Sequence, residues 1–272
     1  LHTHDLSEAQ KLRGPLVEEF KSKIFAAKDQ ASQSNGKGSV VKTFMPVTDT
    51  SDPQYYHKVV DCQYACPAHT PVPEYIRKIS QHEFTAAYMI NWESNVFPGI
   101  LGRTCDRPCE PACRRTRTHE KPVAICRLKR VAADYKDDVS ELLPKAPQQT
   151  NGKKVALIGG GPASLTVARD LIVMGYECTL FEKDPQAGGL MRTNIPSFRL
   201  PEEVLDAEVD QILNMGLTTK FNSEIKSLKE FLKGDFDAVF VGTGAPKGKD
   251  LSIEGRNEAA ENIHIGIDFL TS

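Results

Sequence analysis

The sequence predicts two unlike domains: a helical, cysteine-rich one, then an α/β one of the doubly wound kind. Three observations carry this. Six of the seven cysteines fall between Cys62 and Cys126. From Lys153 onward, short β-type runs alternate with helix-type stretches, the pattern of a parallel sheet. The first of those runs ends in Gly159-Gly160-Gly161 immediately before a helical stretch.

Taken in order, residues 1–51 read as an N-terminal helix and linker. Leu16, Phe20 and Ile24 recur every four residues after Pro15, and Ala31–Ser39 is small, polar and Gly-rich. Residues 52–140 form the cysteine-rich domain, with helices expected at Pro73–Ile79, His82–Met89 and Pro122–Tyr135. Residues 141–152, rich in Pro, Gln and Asn, read as a second linker. Residues 153–272 give strands at Val155–Ile158, Cys178–Phe181 and Ala238–Val241, and helices at Ala163–Met174 and Pro201–Met215.

Composition narrows the function classes. The 272 residues hold 34 Lys+Arg against 36 Asp+Glu, a net charge of −2, which argues against a nucleic-acid binder. No stretch approaches 18 apolar residues, so no membrane-spanning helix is expected. The first twenty residues show no secretory signal pattern, and the chain starts at Leu1, so the sequence reads as a piece of a cytoplasmic protein.

The glycine turn carries the first chemistry. Gly159 permits a tight turn, Gly161 lets the backbone approach a pyrophosphate, and the following helix start directs its amides at that phosphate. Ser164 stands where Gly or Ala is usual, still small enough for close packing. Glu182 ends the next strand 21 residues after Gly161, where a carboxylate accepts ribose hydroxyls. This order points to a bound dinucleotide. The plain alternative is a structural turn with a chance glutamate.

The cysteines carry the second. Their spacing is Cys62-x3-Cys66-Pro67, then Cys105-x3-Cys109-x3-Cys113, then Cys126. Thiolates at these spacings fit iron–sulfur ligation better than paired zinc knuckles. Cys178, in an apolar run, reads as a buried hydrophobe. Tyr55, Tyr56, Tyr64 and Trp92 read as core aromatics, and His69 as a local hydrogen-bonding residue. Arg103–Arg130 carries six more positive than negative charges, which suits an acidic redox partner or a solvated face. No hydrolytic constellation stands out.

At this point the sequence resembles the glutamate synthase small-subunit family. Ile195-Pro196-Ser197-Phe198-Arg199-Leu200-Pro201 matches that family's I-P-x-F-R-L-P, and Gly161-Pro162-Ala163-Ser164 is similar to the flavin domain of dihydropyrimidine dehydrogenase. Pro98-Gly99-Ile100-Leu101-Gly102-Arg103-Thr104-Cys105, Cys109-Glu110-Pro111-Ala112-Cys113 and Pro122-Val123-Ala124-Ile125 continue the likeness, which runs from Val59 onward. The resemblance implies an α/β Rossmann-type FAD-binding domain preceded by an α-helical iron–sulfur domain. It implies FAD held by Gly159, Gly160, Gly161, Pro162, Ala163 and Ser164, with Glu182 at the ribose and Gly189 and Leu190 at the flavin side. Arg199 and Ile225 are further implied FAD contacts.

The same resemblance implies [4Fe–4S] clusters. Carried over by position, Cys66, Cys105 and Cys109 hold one. The family's fourth ligand position is Lys129 here, whose ammonium cannot bind iron, and Cys126 lies one helical turn earlier on the same face. Cys126 is therefore expected as the fourth ligand. Cys62 and Cys113 belong to the family's second cluster, whose upstream pair is replaced by Gln54 and His57. The cysteine count favours one complete cluster. A second, completed by His57 or by a partner, is one alternative, and zinc another.

The reading is an electron-input subunit or fragment of an NAD(P)H-dependent FAD/[4Fe–4S] oxidoreductase. Electrons would pass from flavin through iron–sulfur to a partner subunit or ferredoxin-like protein. Its nicotinamide domain is expected beyond residue 272, so the chain alone is expected not to oxidise NAD(P)H. The rival is a non-catalytic nucleotide-binding or assembly module with a zinc or vestigial cluster site.

Overall fold

The computed structural model describes residues 60–271. The expected N-terminal helix and linker, and Gln54, Tyr55, Tyr56 and His57, lie outside the described residues.

The helical part begins with α1 (Asp61–Ala65), α2 (Val72–Ser80), α3 (Phe84–Ser94), α4 (Pro98–Thr104) and α5 (Ile125–Asp134). A 3₁₀ turn at Arg114–Arg117 precedes α5. Proline stands in the first turn of α2 and α4, where its missing N–H is harmless. Helix α3 starts two residues later than the sequence suggests, because His82 takes a positive φ of 59° and closes the preceding turn. It runs on to Ser94 and is apolar on both faces. Ala87 packs into a helical core with Val72, Tyr75 and Ile125, while Tyr88 and Trp92 enter the core of the following sheet domain. A helix with no polar face is stable only when covered on both sides.

The second part is β1 (Lys154–Ile158), α6 (Pro162–Val173), β2 (Glu177–Phe181), α7 (Leu190–Thr193), α8 (Glu202–Leu213), β3 (Thr218–Lys220), α9 (Leu228–Phe231), β4 (Ala238–Val241) and α10 (Gly266–Thr271). The sheet is parallel, in the order β3-β2-β1-β4. Ile158 pairs with Phe181 on one side and Val241 on the other, so three strand ends open at one edge. The order reverses between β1 and β4, and such a switch point is where doubly wound sheets bind ligands. Leu157 and Leu180 are fully buried, with Leu165 and Ala168 of α6 and Ile212 of α8 packed over them. Each such leucine contributes about 1.5–3 kcal/mol.

Two polar clamps join the helical part to the sheet part. Arg169 of α6 donates to the Trp92 carbonyl at 2.7 Å, with its guanidinium 5.0 Å from the Trp92 ring centre. Glu208 of α8, 3% exposed, accepts from the Gly99 and Ile100 amides at 2.6 and 3.0 Å, and from the Tyr88 hydroxyl at 3.0 Å. The segment expected as a linker, residues 141–152, is irregular and mostly exposed, but is anchored at two points. Leu143 is buried, and the Asn151 amide bonds to the Gly175 carbonyl at 2.9 Å. Among the described residues, no helix is long and apolar enough to cross a membrane.

Candidate functional site

The glycine loop lies at the switch point. Gly159 has φ +93°, and a side-chain carbon there would meet the Gly242 carbonyl oxygen at 2.7 Å, so the β1 and β4 turns touch backbone to backbone. Gly160 is buried against Glu182 and its amide donates to that carboxylate. Gly161 has nothing nearer than 4.0 Å where a Cβ would stand, leaving the helix start open to a ligand. Pro162 and Ala163 are exposed, at the first turn of α6. Ser164 is fully buried; its hydroxyl has no partner and points toward Gly242, where a Cβ would strike it.

Glu182 directly follows β2 and is 5% exposed. Its second oxygen accepts the Asp184 amide at 2.9 Å. A carboxylate has about four acceptor directions, so both bonds leave capacity for hydroxyls. The second glycine turn packs on the first, with the Gly188 amide donating to the Gly160 carbonyl at 2.8 Å. Gly189 is half-buried and Leu190 is 40% exposed beside it. Arg199 is exposed, next to Phe198 at 90% exposure, and Ile225 is half-buried in the loop after β3.

The cysteines act on one another electrostatically. Burial pushes the Cys109 thiol up to about 11; Lys129 opposes the rise, and Cys105 and Cys66 add to it. Burial also raises Cys126, with Cys105 adding and Lys129 and Arg107 opposing. At Cys66 burial works upward too, but hydrogen bonds from Thr70 and Ala68, with Lys129, hold the thiol below its usual range. Cys66, Cys109 and Cys126 thus all feel Lys129, itself 7% exposed. Burial raises Cys62, with Cys113 adding to the rise, and Tyr75 feels Cys62 together with Cys109, Cys126 and Cys66.

Local structure supplies this set. Cys105 caps the end of α4, and its sulfur accepts the Arg107 amide at 3.3 Å. Cys126 sits in the first turn of α5, its sulfur 3.4 Å from the Gly102 carbonyl oxygen. That approach needs Gly102, where a Cβ would lie 2.8 Å from the Arg130 Cα. Glu110 accepts the Cys126 amide at 3.0 Å. Among the described residues, no three His, Cys, Asp or Glu side chains converge as the ligands of one ion do.

Sequence reasoning singles out neither Thr70, Asn95 nor Glu208. Thr70 and Asn95 are buried polar residues near cysteines, which spacing alone cannot reveal. Glu208 lies on a helix whose pattern gives no sign that one acid turns inward. Cys178 is 2% exposed, with burial pushing its thiol up to about 11.

Comparison with known proteins places both parts. Residues 55–140 match the family described as dihydropyrimidine dehydrogenase domain II, 4Fe-4S cluster, and residues 157–219 the NAD(P)-binding Rossmann-like domain. Over 235 residues the chain is 36% identical to the NADPH-Fe(3+) oxidoreductase subunit beta of Geobacter sulfurreducens, covering 82% of this chain and 35% of that protein. It is 37% identical over 215 residues to the NAD-dependent dihydropyrimidine dehydrogenase subunit PreT of Salmonella typhimurium, covering 77% of this chain and 50% of that one. It is 33% identical over 213 residues to the glutamate synthase [NADPH] small chain of Mycobacterium tuberculosis, covering 77% and 43%. The chain therefore spans between a third and a half of the length of these relatives.

Proposed function

We propose that this chain, a member of the glutamate synthase small-subunit-like family of iron–sulfur NAD(P)H oxidoreductases, is an electron-input segment that joins a flavin site to one [4Fe–4S] site. The observation that carries the reading is the match of residues 55–140 to the 4Fe-4S domain family, in which Cys66, Cys109 and Cys126 all feel the charge of buried Lys129 and Cys105 acts on Cys109 and Cys126. FAD takes two electrons as a hydride and releases them singly, which a cluster carries one at a time.

The chain's own residues do the rest. Gly159 and Gly160 shape the turn, and Gly161 clears the approach of the pyrophosphate to the amides at the start of α6. Glu182 offers its remaining acceptor directions to the ribose. The Gly189–Leu190 turn borders the flavin side, with Arg199 and Ile225 as outer contacts. Ser164 keeps α6 tight against the β4 turn. Cys66, Cys105, Cys109 and Cys126 present four sulfurs, and Lys129 offsets their negative charge, which favours the reduced state. Cys62 and Cys113 are left as half of a second ligand set. The exposed cations Arg115, Lys121 and Arg127 suit an acidic surface on a partner subunit, consistent with relatives named as subunits or small chains.

A second reading puts NAD(P) itself at the glycine loop, favoured by the description of the family matched at 157–219. The test is anaerobic reconstitution of the full chain with iron, sulfide and FAD, followed by photoreduction of the flavin. The expected result is one bound flavin whose reduction is followed by bleaching of the cluster's visible absorbance. Tight binding of NADPH with no flavin uptake, or a reduced flavin beside an oxidised cluster, would overturn the proposal.

A further inference from the structure

We infer that Thr70 and Asn95 are positioning residues for the iron–sulfur site: the Thr70 hydroxyl, oriented by Asn95, donates to the Cys66 sulfur and raises the electron affinity of the cluster that sulfur holds. The inference rests on the ligand role proposed for Cys66. The Thr70 Oγ1 lies 3.4 Å from the Cys66 Sγ, and the Asn95 Nδ2 donates to the same oxygen at 3.0 Å. With its lone pair so engaged, the hydroxyl keeps its proton for the sulfur. An iron-bound thiolate carries no proton, so Thr70 is the only donor in that pair. Thr70 is 1% and Asn95 6% exposed, so water does not compete. A hydrogen bond to a cluster sulfur spreads its negative charge and raises the potential.

The pair has no evident structural duty. Thr70 lies just before α2, yet its hydroxyl caps no helix: the cap position of α2 is Pro71, with no side-chain bond. Asn95 leaves its Oδ1 buried and unpartnered. An apolar side chain of that size would fill the space without the unsatisfied carbonyl. What the amide gains is the bond to Thr70. Asn95 also lines an open groove of about 390 Å³ with Phe97, Leu101, Pro162 and Ala163. Asn95 thus borders the start of the glycine-loop helix and bonds to Thr70, the partner of a proposed cluster ligand, a juxtaposition that sequence spacing does not reveal.

The experiment is potentiometry of the reconstituted full chain, followed by visible absorbance and by the spin signal of the reduced cluster. Thr70→Val keeps the shape and removes the hydroxyl. It is expected to take up iron as the wild type does and to shift the reduction equilibrium about tenfold toward the oxidised form, about 59 mV for one electron. Thr70→Ser is expected to stay at the wild-type potential. Asn95→Leu is expected to move the same way as Thr70→Val by a smaller amount, and it keeps the question answerable if Thr70→Val does not fold. Cluster-loaded variants with the wild-type potential, or a serine variant shifted as far as the valine one, would overturn this inference alone. A wild-type chain that takes up no cluster would overturn the ligand assignment and this inference with it.

Discussion

Glu208 offers the sharpest test of how the two parts are joined. Burial holds this carboxyl well above the ordinary value of 4.5, at about 7, although the Ile100 and Gly99 amides, Tyr88 and Lys136 all favour the charged form. A carboxyl whose folded pKa is raised keeps its proton in the native state while the unfolded chain has lost it. Its contribution to stability is therefore whole below about pH 4.5 and is lost as the pH rises toward 7. At 1.36 kcal/mol per pH interval of one, the loss is about 3 kcal/mol. In Glu208→Gln the titration disappears. One amide oxygen still accepts from Gly99 and Tyr88, but the NH₂ group faces the Ile100 amide, donor against donor. That mismatch costs about 1–3 kcal/mol at every pH. Urea unfolding of both proteins from pH 5 to 8 reads the difference, in which other titrating groups cancel. The stability advantage of the wild type is expected to shrink by most of 3 kcal/mol across that range. An advantage that is constant, or that grows with pH, would show that the native carboxyl is ionised and refute the reasoning.

Two further outcomes follow from packing. Gly242→Ala places a carbon against both the Ser164 hydroxyl and the Phe240 ring and is expected to lower stability by about 1–3 kcal/mol in thermal unfolding; no loss would contradict the close approach. Cys126→Ala is expected to abolish uptake of a complete cluster, whereas Cys178→Ala leaves iron content unchanged and lowers only stability, because its 2% exposed thiol packs in the sheet core; iron loss from the Cys178 variant would contradict the assignment.

The sheet domain was legible because its signals are local. Val155–Ile158 is a short apolar run, Gly159 marks the turn, and Ala238–Val241 begins and ends where the residue pattern places it. Helix α4 was not legible. Its Pro98-Gly99 start reads as a turn, it is seven residues long, and its first amides are satisfied by Glu208, more than a hundred residues away. Strand β3 escaped for a similar reason: three residues of Thr-Thr-Lys become a strand only by pairing with Thr179–Phe181. At the cysteine site, spacing could propose which sulfurs belong together. It could not show that Lys129 is buried and acts on three of them, or that Thr70 bonds to Cys66, since both depend on tertiary packing. The residues joining the parts, Arg169 and Glu208, look like ordinary surface charges in sequence, because periodicity records polarity and not the distant partner that receives it.

The most direct measurement is iron, acid-labile sulfide and zinc per chain, on anaerobically reconstituted wild type and on the Cys62→Ser/Cys113→Ser double variant. About four iron and four sulfide in both proteins is the predicted result, since the proposed assignment makes Cys66, Cys105, Cys109 and Cys126 a complete ligand set by themselves. About eight iron in the wild type, loss of iron from the double variant, or zinc without sulfide would contradict it.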